Sequence, residues 1–170
     1  MTPEELGKLF ESFRYSAFRL ECMPFYDVTE DDEAEALWHF RHGRPEPPWK
    51  KDRLWLQTVR AARQRGAQMQ RVRMVESPLT DYQRFQCAWG YPANVDAGED
   101  IRILEHRPDG LLTVDFWLFD DEIAVVLEYD NEGRFLVPVV AETLQPYRQA
   151  RDLALRRAVP FQQYRLSLLR

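Results

Sequence analysis

Residues 115–133 read DFWLFDDEIAVVLEYDNEG, seven acidic side chains set into an otherwise apolar run. Side chains alternate along a strand, so Val114, Phe116 and Leu118 fall on one face and Asp115, Trp117 and Phe119 on the other. Ile123, Val125 and Leu127 continue the alternation beyond Asp120-Asp121-Glu122, and Phe135 and Val137 continue it beyond Asp130-Asn131-Glu132-Gly133. The acids therefore mark the turns of a three-strand antiparallel meander, where Asp, Asn and Gly are favoured for local hydrogen bonding and left-handed backbone. The two turns lie at opposite ends of the middle strand, about 23 Å apart at ~3.3 Å per residue, so one metal ion is not bound by both. Only Asp115, Asp120 and Asp121 can converge, and turn chemistry already accounts for the last two.

Working outward, TPEELGKLFESF reads as a helix with a capping box at Thr2 and Glu5. SAFRLECMPFYDV reads as a first strand whose second half Pro24 demotes to an edge or turn. TEDDEAEALWHFRHG reads as a helix capped by Thr29 and stopped at Gly43; the acids Glu30–Glu35 complement its dipole and face solvent. RPEPPW at 44–49 is a stiff connector, and predicts a division into an N-terminal appendage, 1–48, and a main body, 49–170, unless 1–170 is a single domain. A helix over 50–65 follows, with Trp55, Val59 and Ala62 on one face, then a strand AQMQRVRMV. A helix opens at the capping box Thr80–Gln83 and stacks Tyr82, Phe85 and Trp89 as core. IRILEH is a short strand, and a closing helix spans 143–158 with Leu144, Tyr147, Ala150 and Ala154 inward. FQQYRLSLLR adds a last amphipathic turn or a partner-binding tail. The fold class predicted is α/β: a central mixed sheet with the meander and flanking helices.

A chain of 170 residues, 45% apolar, is long enough to bury a substantial core. No apolar run approaches the roughly 18 residues of a membrane span, and the acidic start lacks signal-peptide features, which points to a cytoplasmic protein. Arg outnumbers Lys 20 to 3, a bias that follows genome composition. The net charge of −5 opposes general nucleic-acid binding, yet charge is segregated. Residues 50–73 hold eight basic side chains (Lys50, Lys51, Arg53, Arg60, Arg63, Arg65, Arg71, Arg73) against Asp52, and residues 96–132 hold twelve acids against Arg102 and Arg107. Opposed charges of this kind either neutralise each other within the fold or steer a charged partner, a second copy of the chain included.

No catalytic constellation emerges. Cys22 and Cys87 are isolated thiols without metal-ligand spacing; His39, His42 and His106 form no ligand motif; and the seven glycines build no phosphate loop. Neither a metal nor a cofactor is expected, and no residue is assigned a catalytic role. The ligand-binding candidates are Arg71, Arg73 and Arg84 for an anion, Trp89 and Tyr91 of the WGYP stretch as a rim, and Asp115, Trp117 and Asp121 at the meander.

The segments SAFRLECMPFY, RVRMVESPLTDYQRFQCAWGYPANVDAGEDIRIL, DFWLFDDE and YDNEGRFL, in that order, resemble an uncharacterised actinobacterial family known only as a domain of unknown function. Members of that family are often encoded near XRE-type helix-turn-helix regulators, so the resemblance implies a regulatory accessory role. More remotely, LQTVRAARQRGAQMQRVRMV, a following helix, DIRILEH and TVDFWLFDDEIAVV resemble half of a phospholipase-D-like fold. In that alignment Thr113 stands where the nucleophilic His belongs and Asp115 where the phosphate-binding Lys belongs, which implies a non-catalytic version. Three functions stay in view. The first is a non-enzymatic regulatory protein that binds a helix-turn-helix regulator, another protein or a small anionic ligand. The second is an enzyme of unfamiliar type, with Arg71, Arg73 and Arg84 on an anionic substrate and Asp115 or Asp121 as general base. The third is nucleic-acid association through residues 50–73, which requires a continuous basic surface.

Overall fold

The computed structural model describes residues 1–29, 33–48 and 53–167. Glu30, Asp31 and Asp32 of the acidic helix start, Lys50, Lys51 and Asp52 of the basic run, Trp49 of the connector and residues 168–170 of the tail lie outside the described residues.

In chain order the elements are α1 (Pro3–Ser12), β1 (Ser16–Glu21), α2 (Ala34–Arg41), α3 (Leu54–Gln64), β2 (Gln68–Met74), α4 (Asp81–Phe85), a π-helical turn (Gln86–Gly90) and α5 (Tyr91–Ala97). They continue with β3 (Asp100–Leu104), β4 (Phe116–Phe119), β5 (Ile123–Tyr129), β6 (Phe135–Val140), α6 (Gln145–Arg157), β7 (Val159–Pro160) and α7 (Phe161–Ser167). Seven strands form one mixed sheet in the order β6-β5-β4-β1-β2-β3-β7. β1, β2 and β3 run parallel, joined by helical crossovers, while β4, β5 and β6 form the antiparallel meander. The chain is thus of the α/β class.

The boundary drawn at 48/49 has no counterpart in this sheet. β1, from the segment read as an appendage, lies between β4 and β2 at the centre. Parallel pairing across a long crossover leaves no local sequence signature, which is why the connector looks like a boundary. The first strand also stops at Glu21, before Pro24, and the closing helix begins at Gln145 without a side-chain cap.

Alternation sorts the sheet into two faces. Phe18, Leu20, Val72, Phe116 and Leu118 meet Ala150 and Ala154 of α6. The opposite face carries Ala17, Met69, Trp117 and Phe119 against Leu56, Val59 and Ala62 of α3, with Phe10 of α1 packed on the same cluster. The β4–β5 turn is built from two left-handed residues, Asp120 (φ 51°) and Asp121 (φ 59°), the backbone a tight hairpin needs. Asp120 does more than turn the chain. Its carboxylate accepts the backbone N–H groups of Arg14, Tyr15 and Ser16 at 2.7, 2.7 and 2.8 Å, which anchors the start of β1 to the hairpin.

Candidate functional site

On the α3 face the parallel register puts Arg19 beside Arg71 and Glu21 beside Arg73. Each pair shares a face because the residues have the same parity, so two apolar strands carry four charged side chains into the interior. Asp115, just before β4, and Glu99, just before β3, supply two further carboxylates. Arg19 meets Asp115 at 2.8 Å; Arg71 meets Glu21 at 2.5 Å and Glu99 at 2.7 Å; Arg73 lies 3.8 Å from Glu21. Three guanidiniums and three carboxylates thus balance in a buried layer, the arrangement that offsets the desolvation each would suffer alone.

Aromatic and amide groups complete the layer. The Tyr26 hydroxyl donates to Asp115, and Arg19 donates to the Tyr129 hydroxyl at 3.1 Å. The Tyr91 hydroxyl donates to Glu21 at 3.4 Å, while Trp55 Nε1 and Asn94 Nδ2 donate to Glu99 at 3.1 and 2.9 Å. Arg73 stacks over Tyr26 and Tyr82, with its guanidinium 5.0 and 5.9 Å from their ring centres. Only 1% exposed, it makes no hydrogen bond to any described residue through Nε, Nη1 or Nη2. A second buried link joins the crossovers: Arg53 pairs with Glu33, which also accepts from Gln86 at 2.7 Å.

The electrostatics follow from burial and proximity. Burial alone raises the pKa of Glu21, but Arg71, Arg73 and Arg19 outweigh it and hold the carboxyl below its ordinary range. Burial pushes the hydroxyls of Tyr26 and Tyr91 far up, so both remain donors. The Cys22 thiol is pushed up to about 12 by burial and then by Asp115, and Cys87 to about 11 by burial. Neither thiol is a nucleophile at neutral pH.

Asp115 and Tyr129 border a cleft, but the Asp115 oxygens are taken up within the layer. Asp115 Oδ2 receives Arg19 and Tyr26, and Oδ1 receives the Cys22 backbone N–H at 2.9 Å, so both oxygens are engaged in holding the fold. Among the described residues, no group of three or more His, Cys, Asp or Glu is placed to hold a metal ion.

Of the residues singled out from sequence, Arg71, Arg73, Tyr91 and Asp115 meet in or beside this layer, and Trp117 lies under Arg19, 5.8 Å from its guanidinium. Arg84 stands apart on an exposed helix face, paired with Asp81. Trp89 packs with Phe40 and Phe85. Asp121 sits on the hairpin, bound by Arg151, while Arg148 donates to its carbonyl. The basic run divides: Arg53, Arg71 and Arg73 turn inward, while Arg60, Arg63 and Arg65 are exposed on and just beyond α3. Arg19, Glu21, Glu99, Tyr26 and Tyr129 were missed. The available signal was parity: Arg19 and Glu21 alternate with Phe18 and Leu20 in SAFRLE as Arg71 and Arg73 alternate with Val72 in MQRVRM.

The surface shows the opposite chemistry. Along β6, Phe135, Leu136, Val137, Val139 and Val140 are 41, 58, 38, 40 and 46% exposed. Val139 is opposite Val126, which is opposite Phe116, and Val137 is opposite Glu128; this places Val137 and Val139 on the α6 face. α6 itself packs on β1, β3 and β4 and leaves these valines half-open. The patch runs into a cleft of about 650 Å³ lined by Cys22, Met74, Val114, Val126 and Leu136, with Glu76, Glu128 and Arg107 also on its walls.

Residues 4–166 match the family described as a domain of unknown function, DUF6879, and the chain belongs to that family. A search of the curated proteins returns no match. Among the described residues, no helix is long and apolar enough to cross a membrane.

Proposed function

We propose that this DUF6879 protein is a non-enzymatic accessory protein that acts by binding a protein partner on the open α6-side face of β5 and β6 and in the adjoining cleft. The observation that carries the reading is that Val137 and Val139 stand 38 and 40% exposed on the α6-side face, next to the cleft residues Val126 and Leu136, while the charged cluster is buried and internally paired. Apolar surface of this extent beside a cleft is a liability in a protein that works alone and an asset in one that is covered in use. The resemblance to a family encoded near XRE-type regulators makes such a regulator the first partner to try.

The phospholipase-D-like likeness fits the same reading. Ala61-Ala62 and Gly66 lead from α3 into β2, and the Asp120-Asp121 turn joins β4 to β5. Thr113 has no imidazole to become phosphorylated, and Asp115, bound to Arg19, replaces a cation by an anion.

The test compares capture by wild type with capture by Val137→Glu/Val139→Glu, after thermal unfolding has shown both to be folded. Loss of a stoichiometric partner with the double variant supports the reading. Equal capture by both removes it. A small oxyanion held by Arg73 is the second reading, favoured by its three guanidinium nitrogens without hydrogen bonds among the described residues. It requires phosphate or acetate to raise the melting temperature of wild type and leave that of Arg73→Met unchanged at matched ionic strength.

A further inference from the structure

We infer that the occupant of the β5–β6 face is a cationic amphipathic helix of another protein, laid across the face rather than added as an eighth strand. The inference rests on the partner-binding reading and specifies its chemistry.

The backbone of β6 argues against strand addition. The Leu127 N–H donates to the Asp115 carbonyl, on the β4 side, and Leu127 is paired with Pro138. In an antiparallel ladder this makes Leu127–Pro138 a non-hydrogen-bonded pair, so the backbone of Pro138 faces the free edge. Proline has no N–H, and the centre of the edge offers no donor to an incoming strand. A bulge between Glu128 and Tyr129 further breaks the register there. Both features blunt an edge against strand pairing while leaving the side-chain face open.

The charges around the patch select the sign of the partner. Glu142 lies where β6 ends, and Glu76 and Glu128 lie at the cleft. All three are exposed and make no ion pair with any described residue, and Arg107 is the cation on the cleft wall. An apolar strip bracketed by free carboxylates is complementary to an apolar stripe flanked by Lys or Arg, as on a basic amphipathic helix. A second copy seated on the same face would bring these carboxylates against their own equivalents, which disfavours self-association there.

The probe is a labelled amphipathic helix with leucines on one face and lysines along both flanks, measured by anisotropy against the full chain. Controls are the same helix with glutamates on its flanks and an extended, strand-forming peptide of the same composition. The lysine helix is expected to bind, to move the methyl resonances of Val126, Val137 and Val139, and to weaken about tenfold with Glu128→Lys/Glu142→Lys. Equal binding of the glutamate helix overturns the charge argument. Tighter binding of the extended peptide, with shifts at the Leu136 and Val140 amides, overturns the docking mode. If the native partner is lost with Val137→Glu/Val139→Glu yet the lysine helix does not bind, this inference falls and the partner-binding reading stands. If that double variant retains the partner, both fall.

Discussion

Truncating Asp115 to alanine removes one carboxylate and strands three donors. Arg19, whose Nη1 has no hydrogen-bond partner among the described residues, loses its 2.8 Å ion pair; Tyr26 loses the acceptor of its hydroxyl; and the Cys22 N–H loses its 2.9 Å bond. Breaking a buried pair by removing one partner costs about 3–5 kcal/mol, because the surviving charge stays desolvated. For a domain of this size a loss of about 4 kcal/mol lowers the melting temperature by roughly 8–16 °C. Asp115→Asn, which keeps an acceptor but not the charge, is expected to fall between the variant and wild type. The decisive control removes both charges: Arg19→Met/Asp115→Leu still strands the Tyr26 hydroxyl and the Cys22 N–H but leaves no unpaired charge from the pair, so it is expected to be more stable than Asp115→Ala. Guanidinium titration followed by circular dichroism measures these proteins, and adding the single variants Arg19→Met and Asp115→Leu closes a double-mutant cycle. An Asp115→Ala cost below about 1 kcal/mol, or a double variant less stable than either single one, would refute the claim that this pair belongs to the fold.

Three further outcomes follow from the same structure. Glu21 is held below its ordinary value of 4.5, so its contribution is fully present above that pH and is lost as pH falls through the depressed folded value; in acid titrations followed by fluorescence, Glu21→Gln should lack that portion of the loss. Asp120→Ala leaves three N–H groups of residues 14–16 without their acceptor and should cost about 2–3 kcal/mol, with Asp120→Asn recovering part because Asn tolerates left-handed backbone; chemical denaturation decides it, and equal stability of all three proteins would exclude the anchor. At pH 8, with thiol values of about 12 and 11, Cys22 and Cys87 should react slowly with a disulfide reagent in the native protein and fast in denaturant; rapid native labelling of Cys87 would contradict its burial, and of Cys22, at the cleft wall, its raised thiol value.

Much of the architecture is legible in the chain because it depends on local chemistry. Strand alternation, the Asp-rich turns and the capping boxes at Thr2 and Thr80 all involve residues within a few positions of one another, and all are found in the structure. The turn at 120–121 shows the limit of that reading. Its left-handed residues can be anticipated from Asp chemistry, but the grip of Asp120 on residues 14–16 joins segments about a hundred positions apart. The candidate site is less legible still. Arg71, Arg73 and Asp115 attract attention as charged residues in apolar strands, but the pairs they form with Arg19, Glu21 and Glu99 join segments far apart in the chain.

The sequence by itself determined the α/β class, the meander and the absence of a recognisable catalytic motif, since each follows from periodicity, turn chemistry or residue spacing. Tertiary structure alone decided that β1 is the central strand, that Arg19 and Glu21 face Arg71 and Arg73, and that β6 keeps its apolar side chains in solvent. The physical reason is common to all three. Parallel register, sheet order and the reach of α6 are set by which distant surfaces bury each other best, and that competition leaves no mark within any short stretch of chain.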